Sequence, residues 1–184
     1  MNEPNWQGAR IHLACGAKYL DGWINADAVD MPVIQGVPGH PDVVLDICYD
    51  LSRIPDASLT WVYWSHGCEH LPPNLLPGVL AHLHRALAKG GKLTLATTDL
   101  FLIIKNRFPD GNWEGPLFGH RWSTDPSWLA HYDCFTHEKL WRLLRNAGFR
   151  EIGPWKTEQY PEIRALNDYA TTHADVTLFA EATK

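Results

Sequence analysis

The chain has 184 residues, 45% of them hydrophobic, and a net charge of −5, which suits one domain large enough to bury a core. No run of Lys or Arg appears, and an acidic balance argues against a nucleic-acid partner, because phosphate binding needs a basic face. No apolar stretch nears the length of a membrane span, MNEPNWQGAR is not a signal peptide, and Cys15, Cys48, Cys68 and Cys134 lack CxxC spacing, which points to reduced, mostly buried thiols in a cytoplasmic protein.

Residues 1–9 read as a loose tail. Arg10–Ala14 is the first predicted strand and Trp23–Asp27 the second. Their short link is in tension with a parallel pair, which needs a crossover of about a dozen residues. Met31–Pro41, with three prolines and no periodicity, is a loop. Asp42–Ile47 is the third strand. Leu59–Trp64 is the fourth and runs into Ser65-His66 and a short helix. A helix is expected over Leu75–Lys89, with Leu76, Val79, Leu80, Leu83 and Leu87 on one face. Pro77 suits its first turn and Gly90-Gly91 its end. A strand over Lys92–Ala96 follows, then a helix over Phe101–Arg107. Thr136 can cap a helix carrying Leu140, Leu143, Leu144 and Ala147, stopped by Gly148. Phe149–Gly153 and Val176–Ala180 are the last strands, expected to form an antiparallel hairpin. Strands alternating with helices predict a three-layer α/β sandwich with a mostly parallel sheet, built as a single domain over residues 1–184.

HLACGAKYLDGWINADA (His12–Ala28) reads as a strand, a tight Cys15-Gly16 turn, a link and a strand ending in Asp27. A small-residue turn lets backbone N–H groups approach a ligand, and an acid one strand later accepts hydrogen bonds from ribose hydroxyls. The phosphate-binding GxGxxG is absent, since only Gly16 and Gly22 lie in the stretch. The expected ligand is a nucleoside without a pyrophosphate.

The pieces HLACG, GWINAD, DLSRIPDASLTWVYWSHGCEHL and AKGGKLTLATTDL, in this order, resemble a compact family of class I S-adenosylmethionine-dependent methyltransferases. That family's patterns are LxxGCG, GWxNxD, DLxxxxPxxDxSxDxxxxSHxLEHL and KPGGxLxxxxPDL. FTHEKLWRLLRNAGFREI and DVTLFAEATK are similar to its closing helix and strands, so the likeness runs from about Ile11 to Lys184. The resemblance implies a Rossmann-like fold with S-adenosyl-L-methionine as cofactor. It implies Ala14, Cys15 and Gly16 beside the methionine part, Asp27 on the ribose, Asp46 and Ile47 at the adenine, and Ser65 and His66 near the methyl group. Thr98 stands where the family often has Pro. Gly67 and Cys68 stand where bulkier residues are common, an exchange expected to widen the site.

His66, Glu69 and His70 fall on one face of a helix. A His there can serve as general base toward an acceptor hydroxyl or amine. Two other readings stand beside this one. In the structural reading a His caps the helix and Glu69 pairs with Arg85 or Lys89. In the metal reading HGCEH is the H-x-x-E-H pattern of inverted zinc peptidases, although Pro72-Pro73 cut the helix short and no third ligand stands out. Residues 100–134 lack periodicity and are rich in aromatic residues, as expected of a substrate loop or lid. Trp113, Trp122, His131 and Tyr132, with Asp99 at a strand end, are the candidate acceptor contacts.

These readings converge on a methyltransferase for the oxygen or nitrogen of a sugar, glycan precursor or natural product. The alternatives are a zinc-dependent hydrolase and a non-catalytic S-adenosylmethionine-binding module. With no N-terminal helices over the cleft, a homodimer is expected to cover apolar surface.

Overall fold

A computed structural model describes residues 3–28, 40–119 and 130–184. Nearly all of the expected loop over residues 31–41, and Trp122, lie outside the described residues. Strands β1 (Ala9–Leu13), β2 (Ile24–Asp27), β3 (Val43–Val44), β4 (Leu59–Ser65), β5 (Leu87–Thr98), β6 (Arg150–Gly153) and β7 (Thr177–Thr183) form one sheet in the order β3-β2-β1-β4-β5-β7-β6. Pairing from β3 through β5 is parallel. β7 runs antiparallel to both β5 and β6. Among the described residues the α-helices are α1 (Leu76–Ala86), α2 (Leu100–Asn106), α3 (Glu114–Phe118), α4 (His137–Asn146), α5 (Pro161–Leu166) and α6 (Tyr169–Thr172).

The period-two alternation of β4 divides the core in two. Val62 and Trp64 join Ile11 and Leu13 on one face, under Leu80 and Leu83 of α1 and Leu140 and Leu144 of α4. Trp61 and Tyr63 face the other way and pack with Leu20, Trp23, Trp155, and Ile163 of α5. Apolar side chains on both faces of one sheet make the three layers expected.

Four details differ from the sequence expectation. Residues 3–9 are pinned: Trp6 is buried, Gly8 N donates to Ser58 O at 2.7 Å, and β1 begins at Ala9. α1 ends at Ala86 rather than Lys89, because Leu87 pairs with Leu59 and Ser58 N takes the Ala86 carbonyl at 2.8 Å. Gly90-Gly91 therefore sit inside β5, where Gly90 (φ +76°) accommodates the register shift. β3 is only Val43–Val44, because Asp46 turns the chain off the sheet edge. Its carboxylate accepts from Cys48 N at 2.8 Å, and its own N–H donates to Asp50 at 2.9 Å. The antiparallel pairing of β6 with β7 is present, but residues 154–176 with α5 and α6 join them.

The short link between β1 and β2 is closed without a helix. Asn25 accepts from Leu20 N at 2.8 Å and donates to the carbonyls of Leu20 (3.1 Å) and Trp23 (3.3 Å). One side-chain amide thus satisfies backbone groups that a crossover helix would have satisfied internally.

Candidate functional site

The strand order reverses between β1 and β4, and open α/β sheets bind ligands at the carboxyl ends of the strands at such a switch point. Two turns meet there. Ala14 (φ +52°) and Gly16 (φ +55°) follow β1, and His66 (φ +45°) follows β4. Two non-glycine residues held in left-handed backbone on adjacent turns are a feature of functional sites, each costing on the order of 1 kcal/mol. The turns touch: a Cβ on Gly67 would lie 3.0 Å from Ala14 Cβ and 2.2 Å from Trp64 Nε1. Gly67 therefore admits the Trp64 indole and does not widen the site.

Asp27, at the end of β2, accepts from Gly16 N at 2.8 Å, so the acid and the turn are joined directly. Cys15 is buried, and burial, then the nearby Asp27 carboxylate, push its thiol up, away from reactive thiolate. Ser65 is buried as the last residue of β4. Asp46 spends one carboxylate oxygen on its own turn. Ile47 lines a small cavity of about 190 Å³ with Tyr49, Asn74 and Leu75. The turn over residues 14–16 and Asp27 form one cradle. The N–H groups of Cys15 and Gly16 donate to Ala26 O at 3.1 Å and to Asp27 at 2.8 Å, and the Asp27 carboxylate is an acceptor of the kind that fits ribose hydroxyls.

Beside this cradle lies a larger cavity of about 450 Å³, lined by His66, His70, Gly115, Pro116, Gly119, His131 and Tyr169. The segment Cys68–His70 is a single 3₁₀ turn. It puts His66 and His70 on the cavity and turns Glu69 inward, where it is 0% exposed. Glu69 Oε1 lies 2.7 Å from His66 Nδ1, and Oε2 accepts from Thr97 Oγ1 at 3.0 Å. The expected pairing of Glu69 with Arg85 or Lys89 is not made; Arg85 pairs with Asp56. Burial alone would raise the Glu69 carboxyl, but His66, by charge and hydrogen bond, then His70 and His131, bring it down to about 2. His66 Nε2 lies 3.0 Å from Thr177 Oγ1, and its ring meets Tyr169 edge to face at 4.6 Å. His70 Nδ1 is 3.2 Å from Ala130 O, His131 Nδ1 is 3.0 Å from Pro116 O, and the two rings meet edge to face at 4.7 Å.

Of the predicted acceptor contacts, His131 lines this cavity and Asp99, Trp113 and Tyr132 do not. Asp99 is buried and caps α2, accepting from Phe101 N at 2.8 Å and Leu102 N at 3.1 Å. Trp113 stacks on Phe108 at 4.9 Å. Tyr132 has an exposed ring, and its N–H ties the turn by donating to Glu69 O at 2.8 Å. Tyr169 and Thr177 are lining and supporting residues that sequence reasoning missed. Tyr169 opens α6, whose cap Asp168 accepts from Thr171 N at 3.0 Å and from the Tyr63 hydroxyl at 2.5 Å. The only sequence signal is an Asp ahead of a Thr three residues on.

The zinc reading finds no support. Both ring nitrogens of His66 have protein partners. Among the described residues, no group of three or more His, Cys, Asp or Glu is placed to hold a metal ion.

Neither a protein-family model nor a curated protein matches the chain. Solved structures do. An S-adenosylmethionine-dependent methyltransferase from Archaeoglobus fulgidus is similar at 17% identity with a TM-score of 0.59, covering 98% of this chain and 87% of that one. One from Mesorhizobium loti is similar at 14% identity and TM-score 0.58, with 99% and 94% covered. A possible histamine N-methyltransferase from Thermotoga maritima is similar at 15% identity and TM-score 0.58, with 97% and 83% covered. With its strand order and antiparallel β7, this chain has the fold of class I S-adenosylmethionine-dependent methyltransferases.

Proposed function

We propose that the chain is an S-adenosylmethionine-dependent methyltransferase acting on the oxygen or nitrogen of a small molecule, in the class of sugars, glycan precursors and natural products. The observation that carries this reading is the meeting of two turns at the β1–β4 switch point, where Gly67 lies against Ala14 of the cradle and the neighbouring His66 lines the histidine-rich cavity. In this reading the turn over residues 14–16 meets the methionine part of the cofactor, Asp27 the ribose hydroxyls, and Asp46 and Ile47 the adenine. When bound, the cofactor supplies an electrophilic methyl group on a sulfonium. The protein's part is to hold the acceptor in line with it and, for a protonated acceptor, to remove a proton.

Four cysteines without disulfides support a cytoplasmic setting. No helix among the described residues is long and apolar enough to cross a membrane. An apolar stripe on and just after α2, with Phe101 64%, Ile104 47% and Phe108 45% exposed, supports a homodimer. Sedimentation equilibrium tests that part, and a monomer at micromolar concentration would remove it.

Calorimetric titration with S-adenosylmethionine and with S-adenosylhomocysteine tests the main reading, followed by transfer of a labelled methyl group to a panel of phenols, monosaccharides, nucleotide sugars and amines. Micromolar binding of either ligand is expected. Asp27→Ala should weaken it by about 2 kcal/mol, roughly 30-fold, through loss of a charged hydrogen bond. No binding by the wild-type chain, or unchanged affinity in the variant, would overturn the assignment of the cradle.

A further inference from the structure

The hydrogen bonds around the cavity sort its three histidines into two kinds. Thr177 has one hydroxyl proton, and the His173 carbonyl 2.8 Å away can only accept it. The Thr177 oxygen therefore accepts from His66 Nε2, which must be an N–H. On the other edge of that ring, Nδ1 shares a proton with the Glu69 carboxyl at 2.7 Å. Wherever that shared proton rests, His66 keeps no lone pair for a ligand.

His70 and His131 are of the other kind. In each ring Nδ1 faces a backbone carbonyl, which only accepts, so Nδ1 is an N–H. Nε2 of the neutral ring then carries the lone pair. Both rings line the cavity, 4.7 Å apart. For His131, burial opposes charging; Glu69 favours it, and His70 again opposes it, leaving the ring at about 4 and so neutral at pH 7. A proton on either ring is drawn by buried Glu69 and repels a second proton on its neighbour.

We propose that His70 and His131 together are the proton acceptor of this site, that the methyl acceptor is a neutral hydroxyl or N–H compound, and that His66 with Glu69 is a positioning pair. The proposal rests on the methyltransferase reading. In the step, Nε2 of the pair takes the proton of the acceptor O–H or N–H group. The electron pair left on oxygen or nitrogen forms the bond to the methyl carbon. The bond from that carbon to sulfur breaks, its electrons stay on sulfur as a thioether, and the imidazolium later returns the proton to water. His66 holds the turn that carries His70, through Glu69 and Thr177.

The first test is nitrogen-15 NMR of the full chain labelled at histidine, which distinguishes protonated from bare ring nitrogens. His70→Asn and His131→Asn each remove one set of signals. If either fails to fold, through-bond assignment of the wild-type chain gives the same answer. At pH 7, His66 should show a protonated Nε2, and His70 and His131 a bare Nε2 each. A bare Nε2 on His66, or a protonated Nε2 on both His70 and His131, would overturn the proposal whatever the acceptor. On an acceptor returned by the panel, His70→Asn and His131→Asn should each lower kcat about 100-fold or more with S-adenosylhomocysteine affinity unchanged. An unchanged kcat in both variants overturns it. Failure of the wild-type chain to bind S-adenosylhomocysteine instead overturns the methyltransferase reading, and leaves the tautomer result to be read on its own.

Discussion

Acid should destabilise this protein well above the pH at which most carboxylates protonate, through two histidines kept neutral by the fold. His12 is 1% exposed on the inner side of β1, and its Nδ1 has no hydrogen-bond partner among the described residues. Burial lowers its pKa from 6.5 to about 4 against the opposing charge of Asp168. His131 is lowered to about 4, again chiefly by burial. The unfolded chain takes up these protons near pH 6.5, whereas the native chain resists them until about pH 4. Unfolded protein thus binds more protons across that window, and stability is full above it and lost as the pH falls through it. At about 1.4 kcal/mol per pH unit, His12 alone accounts for roughly 3 kcal/mol. The half-buried His131 adds a smaller amount, since solvent screens it. Together they approach the whole stability of a marginal domain, about 5 kcal/mol. Urea unfolding followed by tryptophan fluorescence at pH 7.5, 6.5, 5.5 and 4.5 reads the slope. His12→Gln should flatten it by about 1.4 kcal/mol per pH unit, whatever the variant does to absolute stability. A wild-type midpoint constant between pH 7 and 5, or a variant as steep as wild type, would refute the reasoning.

Other outcomes follow from single contacts. Tyr63→Phe removes the 2.5 Å bond to buried Asp168 and should cost about 1–3 kcal/mol in thermal or urea unfolding. It should also loosen α6, read as faster amide exchange around Tyr169. Gly67→Ala drives a methyl group into the Trp64 indole and Ala14, so a loss of about 1–3 kcal/mol is expected in thermal unfolding. Thr177→Val leaves the His66 Nε2–H without its acceptor at 3.0 Å. A cost of about 1–3 kcal/mol is expected in urea unfolding, with a changed Nε2 signal by NMR.

The layers and most elements were legible because burial writes its period into the chain. α1 shows it at Leu76, Val79, Leu80 and Leu83, and Thr136 marks the start of α4 by capping Lys139 N at 3.2 Å. What escaped was decided by partners distant in sequence. Nothing local tells Leu87 to leave a helix-compatible run; Leu59 does that across the sheet. The site divides in the same way. The HGCEH segment announced itself by residue type, and His131 by its place in an aromatic loop. Tyr169 reaches the cavity only because Tyr63 holds Asp168 from β4, across 105 positions of sequence. Asp99 was placed at the right strand end, yet its carboxylate turns to the two N–H groups of α2. An acid before a helix is a cap more readily than a ligand contact, because unsatisfied N–H groups stand ready.

The link between β1 and β2 ties this local architecture to the choice of ligand. A helix after β1 would aim its N-terminal N–H groups, the positive end of its dipole, at a phosphate. Residues 14–23 form no helix, and Asn25 with the buried side chains of Leu20 and Trp23 holds them as turns instead. What remains at the switch point is a left-handed turn with a carboxylate, Asp27, 2.8 Å from Gly16 N. No helix N-terminus stands at this turn to hold a phosphate. The side-chain clamp of Asn25 thus closes a parallel connection that is otherwise too short, and takes the place of the helix that would have supplied one.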